Sequence, residues 1–131
     1  MSLTVISFGY LHEVPAATVT VDVRGILRDP HIDPALRYLT ADDPGVRAKV
    51  ARTPGAAALA DRLTETARTL ADLSELTGEP VSLAIGCAGG RHRSASLAMT
   101  VAERLGAEGH PVTLTHLHLD RPVVERPTPA P

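Results

Sequence analysis

Apolar and polar positions change period several times along the chain, and each change marks an element. Leu3-Thr4-Val5-Ile6-Ser7-Phe8 is an apolar, β-branched run that predicts a first strand, ended by Gly9. After a loop through Glu13 and Pro15, Thr18-Val19-Thr20-Val21-Asp22-Val23 alternates and predicts a second strand with Asp22 near its end. From Arg24 to Asp43 no period holds. Pro30 and Pro34 break that stretch, and Arg24, Arg28, Asp29, His31, Asp33 and Arg37 crowd into it. A loop of this length in a small domain is either functional or a solvated surface with incidental charges, and the residues leave both open. Pro44 to Arg52 predicts a short helix. Thr53-Pro54-Gly55 then reads as an N-cap followed by proline at the first helical position. In the long helix it would open, Leu59, Leu63, Ala67, Leu70 and Leu73 recur at helical spacing until Gly78 and Pro80.

Val81-Ser82-Leu83-Ala84-Ile85 reads as a short buried strand, and a helical pattern follows with Leu97, Ala98, Val101, Ala102 and Leu105 on one face. Gly106 or Gly109 ends that helix, Pro111 forbids its continuation, and residues 112–119 alternate as a last strand. Strand 81–85, helix and strand 112–119 form a βαβ unit, which makes the two strands parallel. The fold class is therefore α/β: one domain over residues 1–120, with a small mixed or parallel sheet of about four strands flanked by helices. Residues 121–131 hold four prolines and read as a disordered tail.

Composition narrows the partners more than the fold. The 131 residues are 44% hydrophobic and 21% charged, ordinary for a soluble globular domain with a real core. A net charge of −2 gives no overall positive field toward nucleic acid or membrane. Phe8, Tyr10 and Tyr38 are the only aromatics, which leaves few platforms for stacking bases. Lys49 is the single lysine beside twelve arginines, a bias of the kind genome composition produces. With Cys87 as the only cysteine no internal disulfide forms; there is no signal pattern and no apolar run of transmembrane length. The expected location is the cytoplasm.

The candidate chemistry concentrates in nine residues between the buried strand and its helix, Gly86-Cys87-Ala88-Gly89-Gly90-Arg91-His92-Arg93-Ser94. Glycines allow the backbone to turn tightly and to aim successive N–H groups at one spot, where the new helix adds unpaired N–H groups and the positive end of its dipole. Arg91, His92 and Arg93 bring further donors. Such a turn suits an anion, a phosphate or a carboxylate. A glycine-rich strand-to-helix turn also serves close packing alone, but packing does not require those three cations together.

Cys87 and Arg93 also stand six apart with Ser94 next, the Cys-x-x-Gly-x-x-Arg-Ser/Thr spacing of cysteine-dependent phosphatases. In that alternative Arg93 and the backbone hold the phosphate, Cys87 is the catalytic nucleophile as a thiolate, and Ser94 assists departure of its thiol. The general acid has no recognisable context among Asp29, Asp33, Asp42 and Asp43, and Gly86 stands where a histidine usually precedes the cysteine. His116 and His118 alternate toward one face of the last strand, while His12, His31, His92 and His110 are scattered through loops; without tight cysteine–histidine spacing no metal is expected. No Gly-x-x-x-x-Gly-Lys-Ser/Thr occurs, so P-loop nucleotide hydrolysis is unsupported, and no cofactor is implied.

Several motifs agree with a known family. The nine-residue turn resembles the Gly-Cys-Thr-Gly-Gly-Lys/Arg-His-Arg-Ser motif of the RapZ family, RNase adapter proteins also described as YvcJ-type nucleotide-binding proteins, in their C-terminal domain. Ser7-Phe8-Gly9-Tyr10 resembles the family's Ser-Phe-Gly-Phe/Tyr opening. Asp22-Val23-Arg24, Asp29-Pro30-His31-Ile32-Asp33-Pro34 and Leu36-Arg37 resemble its Asp-Val-Arg and Asn-Pro-His-x-x-Pro-x-Leu-Arg region. The motifs keep their order over residues 3 to 119. The resemblance implies a stand-alone regulatory domain whose ligand is a phosphorylated amino sugar, glucosamine-6-phosphate in the characterised relative. Carried over by motif, the members of its pocket would be His12, His31, Ala88, Gly89 and Arg93, and the rest of the turn, Cys87, Gly90, Arg91, His92 and Ser94, completes the expected ligand-binding site. In that relative the domain also self-associates and binds small regulatory RNA, so a homo-oligomer and an RNA-binding adapter are further expectations. Departures bear on the latter. The P-loop domain is absent, Ala88 replaces a threonine, and Leu11 stands where a basic residue is common. One extra residue separates Arg24 from His31, and Thr115-His116-Leu117 replaces an Arg-His-Arg strand. The tail also lacks the family's lysine–arginine cluster. RNA affinity depends largely on phosphate contacts, so the loss of those cations at net charge −2 places the RNA adapter third, behind the phosphosugar sensor and the phosphatase.

Overall fold

The computed structural model describes residues 2–28 and 34–123. It has four strands, β1 (Leu3–Gly9), β2 (Val19–Asp22), β3 (Val81–Cys87) and β4 (Val112–His116), and three helices, α1 (Pro44–Arg52), α2 (Ala56–Thr77) and α3 (Arg93–Ala107). The strands form one sheet in the order β2-β3-β1-β4, and every pairing is parallel. The sheet is thus parallel throughout rather than mixed. β3 and β4, the two strands of the βαβ unit, run parallel as expected, but β1 lies between them.

Register brings the strand ends that matter to one edge. Gly9 lies opposite Cys87, Ser7 opposite His116, and Asp22 opposite Gly86. All four strands therefore finish on the side where the glycine-rich turn begins. Ligands of open parallel sheets bind beyond these carboxyl ends.

The core explains why the helices sit where they do. Leu3 and Val5 of β1 and Leu83 and Ile85 of β3 pack against Leu63, Ala67 and Leu70 of α2 and Leu97, Ala98, Val101 and Leu105 of α3. In α2 the buried stripe continues to Ser74 rather than Leu73, which is 47% exposed. The Ser74 hydroxyl faces inward because it donates to the Glu79 carbonyl past the helix end. Gly78, at φ 77°, closes α2 as expected.

Two boundaries differ from expectation. Thr53 caps the end of α1, its hydroxyl donating to the Lys49 carbonyl, and α2 starts at Ala56 after Gly55. The N-cap-plus-proline signal operates one helix earlier: Asp43 Oδ1 accepts the Gly45 N–H at 2.8 Å, with Pro44 in the first turn. The last strand stops at His116 instead of 119; Leu117 N–H still donates to Ser7 O of β1 (3.0 Å), and a turn follows in which Arg121 N–H donates to His118 O (3.1 Å). Of the region 121–131, residues 121–123 are described, and the remainder of that predicted tail lies outside the described residues.

Candidate functional site

β3 extends two residues beyond the predicted apolar run, so Gly86 and Cys87 are strand and the turn proper is Ala88 to His92. Gly86 is glycine for a packing reason. A Cβ there would lie 2.3 Å from Phe8 Cζ and 2.6 Å from a Tyr10 ring carbon, so the two rings occupy the space that a side chain before Cys87 would need. Their centroids are 4.8 Å apart. Arg24 lies over the outer Tyr10 face, its guanidinium carbon 3.7 Å from the centroid.

The turn is positioned by backbone against backbone. Tyr10 N–H donates to Cys87 O (2.8 Å) and Leu11 N–H to Ala88 O (3.0 Å), extending the β1–β3 ladder past the strand ends. A Cβ on Gly9 would fall 2.4 Å from the Gly89 carbonyl carbon. Gly90, at φ +76°, would bring a Cβ within 2.8 Å of Gly9 N and 3.0 Å of His118 Cβ. Gly89 is different: a Cβ there meets nothing within 4 Å. The turn therefore has a packed side at Gly90 and an open side at Gly89.

α3 begins at Arg93 with no side-chain hydrogen bond capping it. Its first-turn N–H groups, including those of Ser94 and Ala95, have no intrahelical acceptor and carry the positive end of the helix dipole.

Most of the turn's side chains are committed to the protein itself. Arg91 donates through Nη1 to Arg121 O and through Nη2 to Tyr38 O at 2.8 Å. His92 Nε2 donates to Leu39 O at 2.7 Å, and Ala41 N–H to Arg91 O at 2.8 Å. These two residues therefore anchor the 38–41 segment and the chain after β4. Arg93 is 4% exposed, and its Nη1 donates to Arg24 O and Leu27 O, both at 3.0 Å. It ties the segment after β2 to α3.

Cys87 is 2% exposed. Gly90 N–H donates to its sulfur (3.3 Å), and Ser94 Oγ lies 3.2 Å away. Since the Ser94 hydroxyl donates to Phe8 O (3.1 Å), the proton between sulfur and Ser94 comes from the thiol. Cys87 and Ser94 thus brace the inside of the turn, and the sulfur does not face solvent as a phosphatase nucleophile does.

His12 stands at the rim, in a turn where its N–H donates to Gly9 O (3.0 Å). Its ring packs on His118 with centroids 4.8 Å apart, and its Nε2 is buried without a partner. His31, together with Asp29 and Asp33, falls outside the described residues. Among the described residues no group of three or more His, Cys, Asp or Glu is arranged to hold a metal.

Sequence reasoning named His118 and Gly9 but gave neither a place in the site. His118 is fully buried, and its Nδ1 accepts the Gly9 N–H at 2.8 Å, which places the neutral ring's proton on Nε2, 3.7 Å from Glu13 Oε1. Burial, reinforced by the neighbouring His12, lowers its pKa below the ordinary histidine value. Burial likewise lowers His116, whose Nδ1 bonds Ser7 Oγ. Asp22 is held below the usual carboxylate range by Arg24, which bonds both its oxygens. The signal for His118 was its two-residue step from His116, which read as strand alternation although the chain leaves the sheet between them.

Fold and site together define a class: a parallel α/β domain with a glycine-rich strand-to-helix turn at the carboxyl edge of its sheet. Residues 1–120 match the family model of the RapZ C-terminal domain, and the chain belongs to that family. It is 40% identical over 119 residues to a nucleotide-binding protein of Thermobifida fusca, covering 89% of this chain and 40% of that protein. Over 120 residues it is 39% identical to a nucleotide-binding protein of Sphingopyxis alaskensis, covering 90% and 38%. A nucleotide-binding protein of Laribacter hongkongensis is 40% identical over 123 residues, covering 92% and 44%. The chain thus spans about two-fifths of the length of the curated relatives it matches. Among the described residues no helix is long and apolar enough to cross a membrane.

Proposed function

We propose that the domain senses a small phosphorylated metabolite, an aminosugar phosphate such as glucosamine-6-phosphate, held against the open side of the Ala88–His92 turn. One observation carries this reading: α3 starts without a side-chain cap directly behind a turn whose Gly89 side is open, at the carboxyl edge of a parallel sheet. The relatives' name is compatible with it, since a nucleotide is also a phosphate ester, although those proteins are longer than the stretch matched. His12 lies beside the turn, its N–H donating to Gly9 O and its ring packed on His118. The inward, hydrogen-bonded Cys87 supports a binding module over a phosphomonoesterase.

The test is one panel of phosphosugars and nucleotides, read for melting temperature and phosphate release together. Gly89→Asp is the informative variant, because its side chain enters open space and places a negative charge where the phosphate would sit. Stabilisation by a phosphosugar without phosphate release, lost in Gly89→Asp, is the expected result; at a hundred times Kd it amounts to about 2.7 kcal/mol. Phosphate release that requires Cys87 would overturn the sensor in favour of the enzyme. Equal stabilisation of Gly89→Asp would remove the ligand from this turn.

A further inference from the structure

The sheet face turned away from the helices carries a stack of side chains that the glycine-rich turn does not use. Val23 enters the helix-covered core and its N–H donates to Gly86 O (2.9 Å), so Asp22 and Arg24, on either side of it, stand on the opposite face. Tyr10 lies there against Gly86 and beside Phe8. The Arg24 guanidinium forms the outermost layer, its carbon 3.7 Å from the Tyr10 centroid.

Arg24 is clamped from several directions. Its own N–H donates to Asp22 Oδ1 (2.9 Å), and its carbonyl accepts from Arg93 Nη1 (3.0 Å). Nε and Nη2 fork onto both oxygens of the Asp22 carboxylate at 2.7 to 3.2 Å. A simple exposed ion pair fixes little, but a fork with a ring beneath it leaves the side chain few alternatives. The fork uses neither Nη1 nor the outer face of the guanidinium. The side chain is 47% exposed while its inner face rests on Tyr10 and one edge on Asp22, so the outer face and the Nη1 edge are what it turns to solvent. Asp22 also neutralises the charge. What remains is a flat surface with outward N–H donors and little net charge.

We infer that the outer face of Arg24 is a subsite for one nucleobase, stacked on the guanidinium with a ring nitrogen or carbonyl accepting from Nη1. Guanidinium planes stack bases as aromatic rings do, and the neutralised charge favours an uncharged ring over a bare phosphate. The subsite takes the base of a free nucleoside or nucleotide. Strands are held by successive aromatic platforms in a cationic groove, whereas this chain has net charge −2 and, beside Tyr10, only Tyr38 and the fully buried Phe8. The subsite does not depend on what the turn binds.

Adenosine, ribose and inorganic phosphate probe it, with binding followed by amide and arginine side-chain chemical shifts of the whole chain. Adenosine is expected to give saturable shifts at Tyr10, Asp22 and Arg24, including the Arg24 Nε–H, which ribose and phosphate leave unmoved. Arg24→Gln should weaken adenosine binding about tenfold, and Arg24→Lys as much, since an ammonium keeps the charge but has no plane. Both variants keep the Arg24 carbonyl for Arg93, so the fold is retained, as an unchanged urea midpoint would verify. Absence of saturable adenosine shifts at these residues, full affinity in Arg24→Lys, or equal shifts from phosphate would overturn the stacked-base assignment. Hexa-adenylate should bind, per base, as adenosine does; a per-base affinity more than about tenfold higher would overturn a single-base subsite in favour of a strand.

Discussion

Two neighbouring glycines of one turn should respond oppositely to the same methyl group. Gly90→Ala forces an L side chain to φ +76° and pushes its Cβ to 2.8 Å from Gly9 N and 2.9 Å from Phe8 C. The left-handed conformation costs roughly 1–2 kcal/mol for a non-glycine residue. Overpacking against backbone adds about 1–3 kcal/mol, since backbone has no rotamer by which to withdraw. The sum, roughly 2–5 kcal/mol, is a large share of the ~5–15 kcal/mol that stabilises a typical domain. Gly89→Ala places its methyl in open space at a backbone angle that L residues accept, so its effect should stay within about 0.5 kcal/mol. Urea denaturation followed by circular dichroism reads both. The expected pattern is a large drop in midpoint for Gly90→Ala with an unchanged slope, and almost none for Gly89→Ala. Equal destabilisation by the two variants would refute the division of the turn into a packed and an open side.

Acid should weaken the fold through His118 and His116. Both native pKa values lie below the ordinary 6.5, so between 6.5 and the native values the unfolded chain binds more protons. Their contribution is complete above about pH 6.5 and is lost as pH falls through the window beneath it. The proton reaching His118 must enter at Nδ1 and break the Gly9 N–H bond. His118→Asn, which keeps an acceptor near Nδ1 but cannot titrate, should flatten part of this dependence; an unaltered urea-midpoint profile from pH 7.5 to 5 would contradict the assignment. Cys87→Ser should leave phosphosugar affinity within about threefold by calorimetry, since the sulfur faces inward; loss of binding would place it on the ligand. Leu63→Ala should cost about 2–5 kcal/mol and Leu73→Ala under about 1 kcal/mol, because the first leucine is in the core and the second largely in water. Equal losses in denaturant titrations would reverse that reading of α2.

Much of this architecture was legible because its elements keep distinct periods. β1, α1 and the buried face of α3 fall where apolar spacing puts them. The failures are local choices settled by distant partners. Asp43-Pro44 and Thr53-Pro54 both satisfy the cap-and-proline pattern, and only the hydroxyl's bond to Lys49 O shows that Thr53 closes a helix instead of opening one. Leu73 outranks Ser74 on any hydrophobic count, yet Ser74 turns inward for the Glu79 carbonyl. The candidate site was visible as a composition but not as an arrangement. Cations beside glycines suggested ligand donors, whereas Arg91 and His92 reach carbonyls 53 positions away in sequence at Tyr38 and Leu39. Gly9 read as a strand end because its constraint comes from Gly89 and Gly90, brought near only by the parallel register of β1 and β3.

That backbone-on-backbone contact separates shape from chemistry. The course of the turn depends on main-chain atoms of Gly9, Gly89 and Gly90 and on inward hydrogen bonds of Cys87 and Ser94, so residues on its open side are not needed to maintain it. Ala88 illustrates the point: an alanine occupies a place where a hydroxyl side chain would also fit the motif, and Leu11 N–H still finds the Ala88 carbonyl at 3.0 Å. Such a scaffold lets a side chain on the open side be exchanged without redrawing the turn. Its surface chemistry and its backbone course are set by different atoms.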